Sequence, residues 1–146
     1  MDEIAARHAF ERAMASYQPA FEKFFLARLL DLKFSYRDGC CDVEFTPQDF
    51  MFNPQGSLHG GVIAMVMDIS MGHLLNHVDG PGATLEMKTQ YVKAARSGVL
   101  RCRGEFIHRG QGISFLRSTL TEAAGDVATG DMVAFATATW KRLKPV

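Results

Sequence analysis

One apolar segment constrains the fold of this chain more than any other feature of its sequence. The run from His59 to about His77 is almost continuously apolar, and between Val62 and Leu75 only four residues interrupt it: Asp68, Ser70, Gly72 and His73. A helix that is apolar nearly all round is a buried helix, and this one is too short to span a bilayer. The rest of the chain is therefore expected to supply a surface that wraps around one central helix.

The residues after this segment predict antiparallel strands. Asp79-Gly80-Pro81-Gly82 ends the helix, and turn residues such as Ala124-Gly125-Asp126 divide the remaining sequence into strand-like runs. These runs are Ala83–Val92, Val99–His108, Ile113–Thr121 and Val127–Trp140. Their spacing predicts a meander of long strands.

The residues before the apolar segment predict helix and then a hairpin. Residues 2–30 have apolar residues at helical spacing, and Pro19 marks where a second helix could begin. Asp38-Gly39, between Leu32–Tyr36 and Cys41–Phe45, is the strongest short hairpin signal in the chain.

This order of elements predicts an α+β fold in which an antiparallel sheet wraps around a central buried helix, because the helix and one face of the sheet must both be buried. We expect a helical extension over residues 1–30 and the main domain over residues 31–146.

Composition excludes several classes of function. With 146 residues, 47% hydrophobic and 22% charged, the chain has the size and core of one ordinary domain. Residues 84–117 carry seven basic and two acidic side chains, which is too little for a nucleic-acid-binding protein. These residues either meet a compact anion such as a nucleotide phosphate or form a solvated face of alternating strands. No membrane span and no secretory signal are expected. Three cysteines, an odd number, indicate a reduced, cytoplasmic protein rather than a disulfide framework.

Asp68 is the most informative single residue. It lies in the middle of the apolar helix, and the positions three and four residues away hold Ala64, Met65, Met71 and Gly72, none of them basic. A buried carboxylate without a partner costs several kcal/mol even after relaxation. Either strand residues or another subunit satisfy it, or it is kept in a partly dry site to act as general base or nucleophile.

His59-Gly60-Gly61 opens the same helix. Two glycines lower helix propensity, so they indicate that something must approach the backbone closely there. The first N–H groups of a helix have no internal partner and lie at the positive end of its dipole, where they can receive the oxygen of a polarised carbonyl. A tight loop-to-helix turn would use the same residues.

The spacing of these two features has a geometric consequence. Gly60 and Asp68 are eight residues apart, or roughly 12 Å along a helix, so one carbonyl carbon cannot touch both within one subunit. If both act on one carbon, Asp68 must come from a second copy whose helix runs antiparallel to the first, which requires at least a homodimer.

The segment from Asn53 to Gly61, with Asp68 nine residues after His59, resembles the signature of hotdog-fold acyl-CoA thioesterases of the phenylacetate-degradation type. Residues 84–88, Tyr91-Val92 and residues 108–110 also resemble that family, and the likeness covers roughly residues 32–142.

The resemblance implies roles for individual residues. Asp68 would activate the attacking water or attack the thioester carbonyl itself, and the Gly60 N–H would hold the thioester oxygen. Asn53 would orient the water or the substrate from the other subunit, while His59 would brace its loop or lie close to the carbonyl. Thr84 falls where the family places a hydroxyl that contacts the water or Asp68.

The resemblance also implies where CoA would bind. Family members hold it along the subunit interface, with the nucleotide near basic residues at strand ends. The resemblance thus implies Gly61, Arg96 and Arg109 as contacts to substrate or CoA. The acyl tunnel would be lined by the buried helix and the facing strands, and residues 1–30 could cap it. Many such dimers pair again, so a dimer of dimers is expected.

The main hypothesis is hydrolysis of an acyl-CoA to the free acid and CoA, without a metal or a redox cofactor. His73 and His77 have the spacing of a metal pair, but no third ligand is evident. A non-catalytic acyl-CoA-binding or regulatory hotdog domain is the alternative. A hotdog dehydratase or hydratase would pair an aspartate with a histidine in a loop-helix pattern that this sequence lacks.

Overall fold

The computed structural model describes residues 1–123 and 130–144. The helices are α1 (Glu3–Ser16), α2 (Phe25–Leu29) and α3 (Gly60–Asp79), with short 3-10 helices at Phe21–Lys23 and Asp49–Met51. The strands are β1 (Lys33–Arg37), β2 (Cys40–Phe45), β3 (Gly82–Tyr91), β4 (Leu100–His108), β5 (Ile113–Glu122) and β6 (Met132–Arg142). The predicted turn at Ala124-Gly125-Asp126 and the first three residues of the predicted strand Val127–Trp140 lie outside the described residues.

The described strands form one antiparallel sheet in the order β1-β2-β4-β5-β6-β3. Strands β4, β5 and β6 form a meander as predicted, but the prediction is wrong for β3, which pairs with β6 instead of β4. The reason is the connection after β3. It is held by β6 and by the loop before α3, since Lys93 N–H donates to the Val133 carbonyl and Leu58 N–H to that of Ala95. The chain then enters β4, in the middle of the sheet. Strand β3 is therefore an edge strand in the protomer.

Helix α3 lies across one face of the sheet and contacts β2 through β6. Strand β4 packs tightly against it at Gly104, where an added Cβ would lie 2.5 Å from the Ser70 carbonyl oxygen. The buried hydroxyl of Ser70 is satisfied because it donates to the Met67 carbonyl and bonds to Ser118 Oγ at 2.8 Å. A sheet that wraps around one central helix is the predicted hotdog arrangement.

The expectation that α3 is buried all round is wrong for the protomer. By length and composition α3 could cross a membrane, but half of its 18-residue apolar stretch is buried inside the protomer. The buried face packs on the sheet through Ile63, Val66, Met67, Met71, Leu74 and Leu75. The opposite face, which carries Val62, Met65, Asp68 and Ile69, is only half-buried. A surface of this kind remains available for another molecule.

The N-terminal extension is helical, as predicted, but its second helix begins at Phe25 and not near Pro19. The chain between the two helices forms a closed turn, in which Gln18 N–H donates to the Lys23 carbonyl at 2.8 Å. Helices α1 and α2 pack on each other, and Ala27 and Leu30 join the main core. The boundary between residues 1–30 and 31–146 stays a prediction.

Candidate active site

Asp68 projects from the half-buried face of α3 toward the edge strand β3. The Thr84 hydroxyl donates a 2.7 Å hydrogen bond to its Oδ1 atom. Burial raises the pKa of Asp68 above the ordinary carboxyl value, and the hydrogen bond from Thr84 opposes that effect. Among the ion pairs of residues 1–123 and 130–144, none includes Asp68. A carboxylate with a neutral partner and a raised pKa is suited to accept a proton.

Asp68 and Thr84 line a cavity of about 520 Å³. Ile69, Gly72 and His73 of α3 form another part of its lining, and Trp140 of β6 closes it from the sheet side. The indole ring of Trp140 lies against Gly72, where an added Cβ would be 2.6 Å from Cη2. Apart from Asp68, the cavity wall formed by these helix and sheet residues is uncharged.

The two helical histidines face aromatic neighbours. The ring of His73 stacks on Phe34 at 4.2 Å, and its Nδ1 lies 3.2 Å from the Tyr36 hydroxyl. The ring of His77 stacks on Tyr36 at 4.3 Å. Burial lowers the pKa of His73 to about 4, so this ring is neutral at physiological pH. Both rings have packing roles at these positions.

The start of α3 holds the second group of predicted residues. His59 is the N-cap, and its Nδ1 accepts a 2.9 Å hydrogen bond from the Gly61 N–H. The Gly61 N–H is therefore occupied, whereas the Gly60 N–H makes no hydrogen bond within the described part of the chain. Gly60 is thus the residue whose first-turn N–H is available to an incoming oxygen.

Tyr91 is a site residue whose contacts sequence reasoning missed. Its hydroxyl donates to the Gly60 carbonyl at 3.0 Å, and an added Cβ at Gly60 would lie 3.3 Å from the tyrosine ring. The ring occupies the space beside Gly60, so a side chain there would require the tyrosine ring to shift by a few tenths of an ångström. Only the position of Tyr91 at a strand end marked it in the sequence, and that position does not reveal a contact with α3.

Asn53 braces the loop that leads to α3. Its Oδ1 accepts hydrogen bonds from Gln55 N–H and Ser57 N–H, and its Nδ2 donates to Ser57 Oγ at 3.0 Å. An amide nitrogen carries two hydrogens, so one donor remains for a ligand. Asn53, Gly60 and Tyr91 line a second cavity of about 290 Å³.

The protomer thus holds two separate groups of candidate residues, which we call half-sites. Asp68 and Thr84 share the larger cavity, while Asn53, Gly60 and Tyr91 share the smaller one. Eight helical residues separate Asp68 from Gly60, which is roughly 12 Å along α3. One protomer does not bring the predicted set together around a single reacting atom.

The two predicted CoA-binding arginines lie at opposite ends of α3. Arg96 is exposed and follows Ala95, whose carbonyl accepts from Leu58 N–H just before the helix. Arg109 pairs with Asp79, the last residue of α3, through Nε contacts of 2.9 and 3.0 Å. The helix between them is roughly 30 Å long, so within one protomer the two side chains do not form one binding site.

Comparisons with known proteins agree with this architecture. The model of a family described as the thioesterase superfamily matches residues 55–129. No curated protein sequence matches the chain significantly. A protein of Bacillus halodurans, solved with CoA, has a TM-score of 0.85 at 23% identity, and the match covers 99% of this chain and 95% of that one.

Two further solved structures extend the comparison. The PaaI protein of Escherichia coli, from the phenylacetic acid degradation operon, has a TM-score of 0.77 at 17% identity, with 95% of this chain and 96% of that chain covered. A phenylacetic acid degradation-related protein of Ralstonia eutropha JMP134 has a TM-score of 0.73 at 24% identity, with 92% and 99% covered. At these identities the likeness shows the fold alone, and it confirms the predicted hotdog fold.

Proposed function

The chain belongs to the thioesterase superfamily, and from that premise we propose that it hydrolyses an acyl-CoA to the free acid and CoA at a site shared by two copies. The observation that carries this proposal is the half-buried carboxylate of Asp68, which is hydrogen-bonded to Thr84 in the lining of an otherwise uncharged cavity. The similar Bacillus halodurans structure was solved with CoA, which supports CoA as the carrier.

Hydrolysis of the thioester would use the Asp68 carboxylate to start the attack on the carbonyl carbon and a backbone N–H to stabilise the carbonyl oxygen. Asp68 takes a proton from water as the water oxygen adds to the thioester carbonyl carbon, or its carboxylate adds to that carbon directly and the acyl anhydride is then hydrolysed. In both routes negative charge develops on the carbonyl oxygen, and the available N–H of the partner's Gly60 would stabilise it. Collapse of the tetrahedral intermediate breaks the C–S bond, and the CoA thiolate leaves and is protonated.

A homodimer with antiparallel α3 helices would bring the half-sites together. The half-buried face of α3 and the unpaired edge of β3 are adjacent, and β3 leads into exposed apolar residues such as Val92, which is 60% exposed. A two-fold axis near the middle of the first half of α3 would set Asp68 beside the partner's Gly60 and Asn53, and so form two identical sites. We extend the proposal to a dimer of dimers.

The same arrangement gives CoA a place to bind. Arg96 is exposed near the Gly60 half-site and makes no ion pair among residues 1–123 and 130–144, so it is our preferred nucleotide contact. Arg109 would first have to share or release Asp79. The described free cysteines, Cys40, Cys41 and Cys102, are all buried, which fits a proposed cytoplasmic location.

The direct test is CoA release from a panel of aromatic, short-chain and long-chain acyl-CoAs. Asp68→Asn removes the ionisable group and keeps its shape, so we expect kcat to fall by about 100- to 10,000-fold. Asp38→Asn, the same change in the exposed Asp38-Gly39 turn, is the matched control and should match wild type.

Two outcomes would contradict the proposal in different ways. If wild type releases no CoA from any member of the panel but binds CoA tightly, the protein is an acyl-CoA-binding or regulatory domain. If Asp68→Asn releases CoA as fast as wild type, the chemical role given to Asp68 is wrong.

A further inference from the structure

The cavity that holds Asp68 is walled partly by the N-terminal extension. Pro19, Ala20, Phe21 and Phe24 line it, facing the α3 residues that surround Asp68. We call residues 19–24 the wall segment. This segment lies outside the part of the chain on which the catalytic assignment rests, and yet it shares a cavity with the proposed reacting carboxylate.

The chemistry of the cavity fits an acyl group and not a nucleotide. The wall segment contributes an apolar, partly aromatic surface, and the Phe21 ring packs edge-on against His73 at 5.2 Å. His73 is 3% exposed and neutral, and Trp140 is 5% exposed. A phosphate would find no cationic side chain among the residues that line this cavity.

We propose that the wall segment, and Phe21 in particular, sets the size of the acyl group that each protomer accepts. The inference rests on the proposed function, since it assumes that the ligand is an acyl-CoA. It assigns the acyl group to the cavity of the protomer that supplies Asp68, while the partner's Gly60 half-site holds the carbonyl and the CoA side.

Phe21 suits this role because its side chain can be replaced without disturbing the hydrophobic core. It is 45% exposed and does not belong to the buried core, whereas Phe24 packs against that core. The wall segment is also held by its own hydrogen bonds, from Gln18 N–H to the Lys23 carbonyl and from Lys23 N–H to the Ala20 carbonyl. Replacement of Phe21 should therefore reshape the cavity and leave the backbone in place.

The experiment measures binding, so that it does not depend on turnover. Non-hydrolysable thioether analogues of saturated acyl-CoAs of increasing chain length are titrated by calorimetry into wild type, Phe21→Ala and Phe21→Trp. In Phe21→Ala the chain length of tightest binding should increase, and each added methylene that finds room should lower Kd by roughly fourfold. In Phe21→Trp the chain length of tightest binding should decrease.

Phe10→Ala is the matched control. Phe10 lies on α1, is 51% exposed and packs on Phe25 at 5.5 Å, but it does not line the cavity. The acyl chain length that Phe10→Ala binds most tightly should equal that of wild type. The inference is overturned if all four proteins prefer the same chain length, if Phe10→Ala shifts the optimum as much as Phe21→Ala, or if wild type binds none of the analogues.

Failure of the proposed function gives a different result. If the optimum shifts as expected in both Phe21 variants, but wild type releases no CoA from the corresponding thioesters, the wall segment selects the acyl group of a binding protein. If CoA is released and the optimum does not move, hydrolysis stands and the role of Phe21 is wrong.

Discussion

The Thr84 hydroxyl donates a 2.7 Å hydrogen bond to Oδ1 of Asp68, and this bond opposes the effect of burial on the same carboxyl. In Thr84→Val, which keeps the branched shape and loses the donor, burial acts unopposed and the pKa of Asp68 should rise further. The proposed chemistry needs the ionised carboxylate, so the acidic limb of kcat/KM against pH should move to higher pH. At neutral pH, kcat/KM should fall by roughly two- to tenfold from the lost hydrogen bond.

Thr84→Ser separates this effect from a change in strand packing. Serine restores the donor on a smaller side chain, so its acidic limb should return toward that of wild type. An acidic limb at the same pH in wild type and Thr84→Val would show that the hydroxyl does not tune Asp68.

The two half-sites predict complementation between two inactive variants. Asp68→Asn removes the proposed base. Asn53→Asp keeps the Oδ1 acceptor for Gln55 and Ser57, but it loses the amide donors and places a negative charge beside the proposed position of the thioester oxygen. Each variant alone should have little activity. Co-refolded in equal amounts, they should recover about a quarter of wild-type activity, because half of the dimers are mixed and each mixed dimer has one intact site.

The amount recovered distinguishes a shared site from a site within one protomer. If both residues acted within a single protomer, each protomer of a mixed dimer would carry one disabled residue and no activity would return. A co-refolded mixture no more active than the two variants measured separately would therefore contradict the antiparallel pairing of α3 helices.

The sequence predicted those features that depend on neighbouring residues. The apolar run from His59 placed α3, and Asp38-Gly39 placed the turn between β1 and β2, because both signals are local. The position of β3 beside β6 was missed, since strand spacing does not state which strands pair. The same limit applies to the site, where the contacts of Tyr91 with Gly60 and of Phe21 with His73 join residues 31 and 52 positions apart and arise only from tertiary packing.

The tight packing of β4 against α3 at Gly104 predicts that even a small side chain there would destabilise the fold. At Gly104 an added Cβ would lie 2.5 Å from the Ser70 carbonyl oxygen and 2.9 Å from Met71 N, both of them backbone atoms that cannot rotate away. Gly104→Ala should lower the free energy of unfolding by about 1–3 kcal/mol, as other overpacked cores do. Gly112→Ala, with no atom within 4 Å of its added Cβ, is the control for chemical denaturation. Equal stability of the two variants would contradict this packing.

Asp42, which lines neither cavity, allows a prediction of how stability depends on pH. Its side chain is 3% exposed and accepts hydrogen bonds from Arg103 at 2.7 and 3.0 Å and from Arg37 at 2.9 Å. Burial alone would raise the pKa of Asp42, but the hydrogen bonds and charges of these arginines outweigh it and hold the pKa below the ordinary value.

A carboxyl with a lowered folded-state pKa adds stability above its unfolded-state pKa and loses it as pH falls through the folded-state value. Asp42→Asn should therefore reduce the free energy of unfolding by about 1–3 kcal/mol at pH 7, and the deficit should shrink below about pH 4 as the wild-type carboxylate is protonated. Urea denaturation at pH 7 and below about pH 4 checks this, with Asp38→Asn as the exposed control. If Asp42→Asn lowers the free energy of unfolding equally at both pH values, the ionised carboxylate of Asp42 does not stabilise the fold.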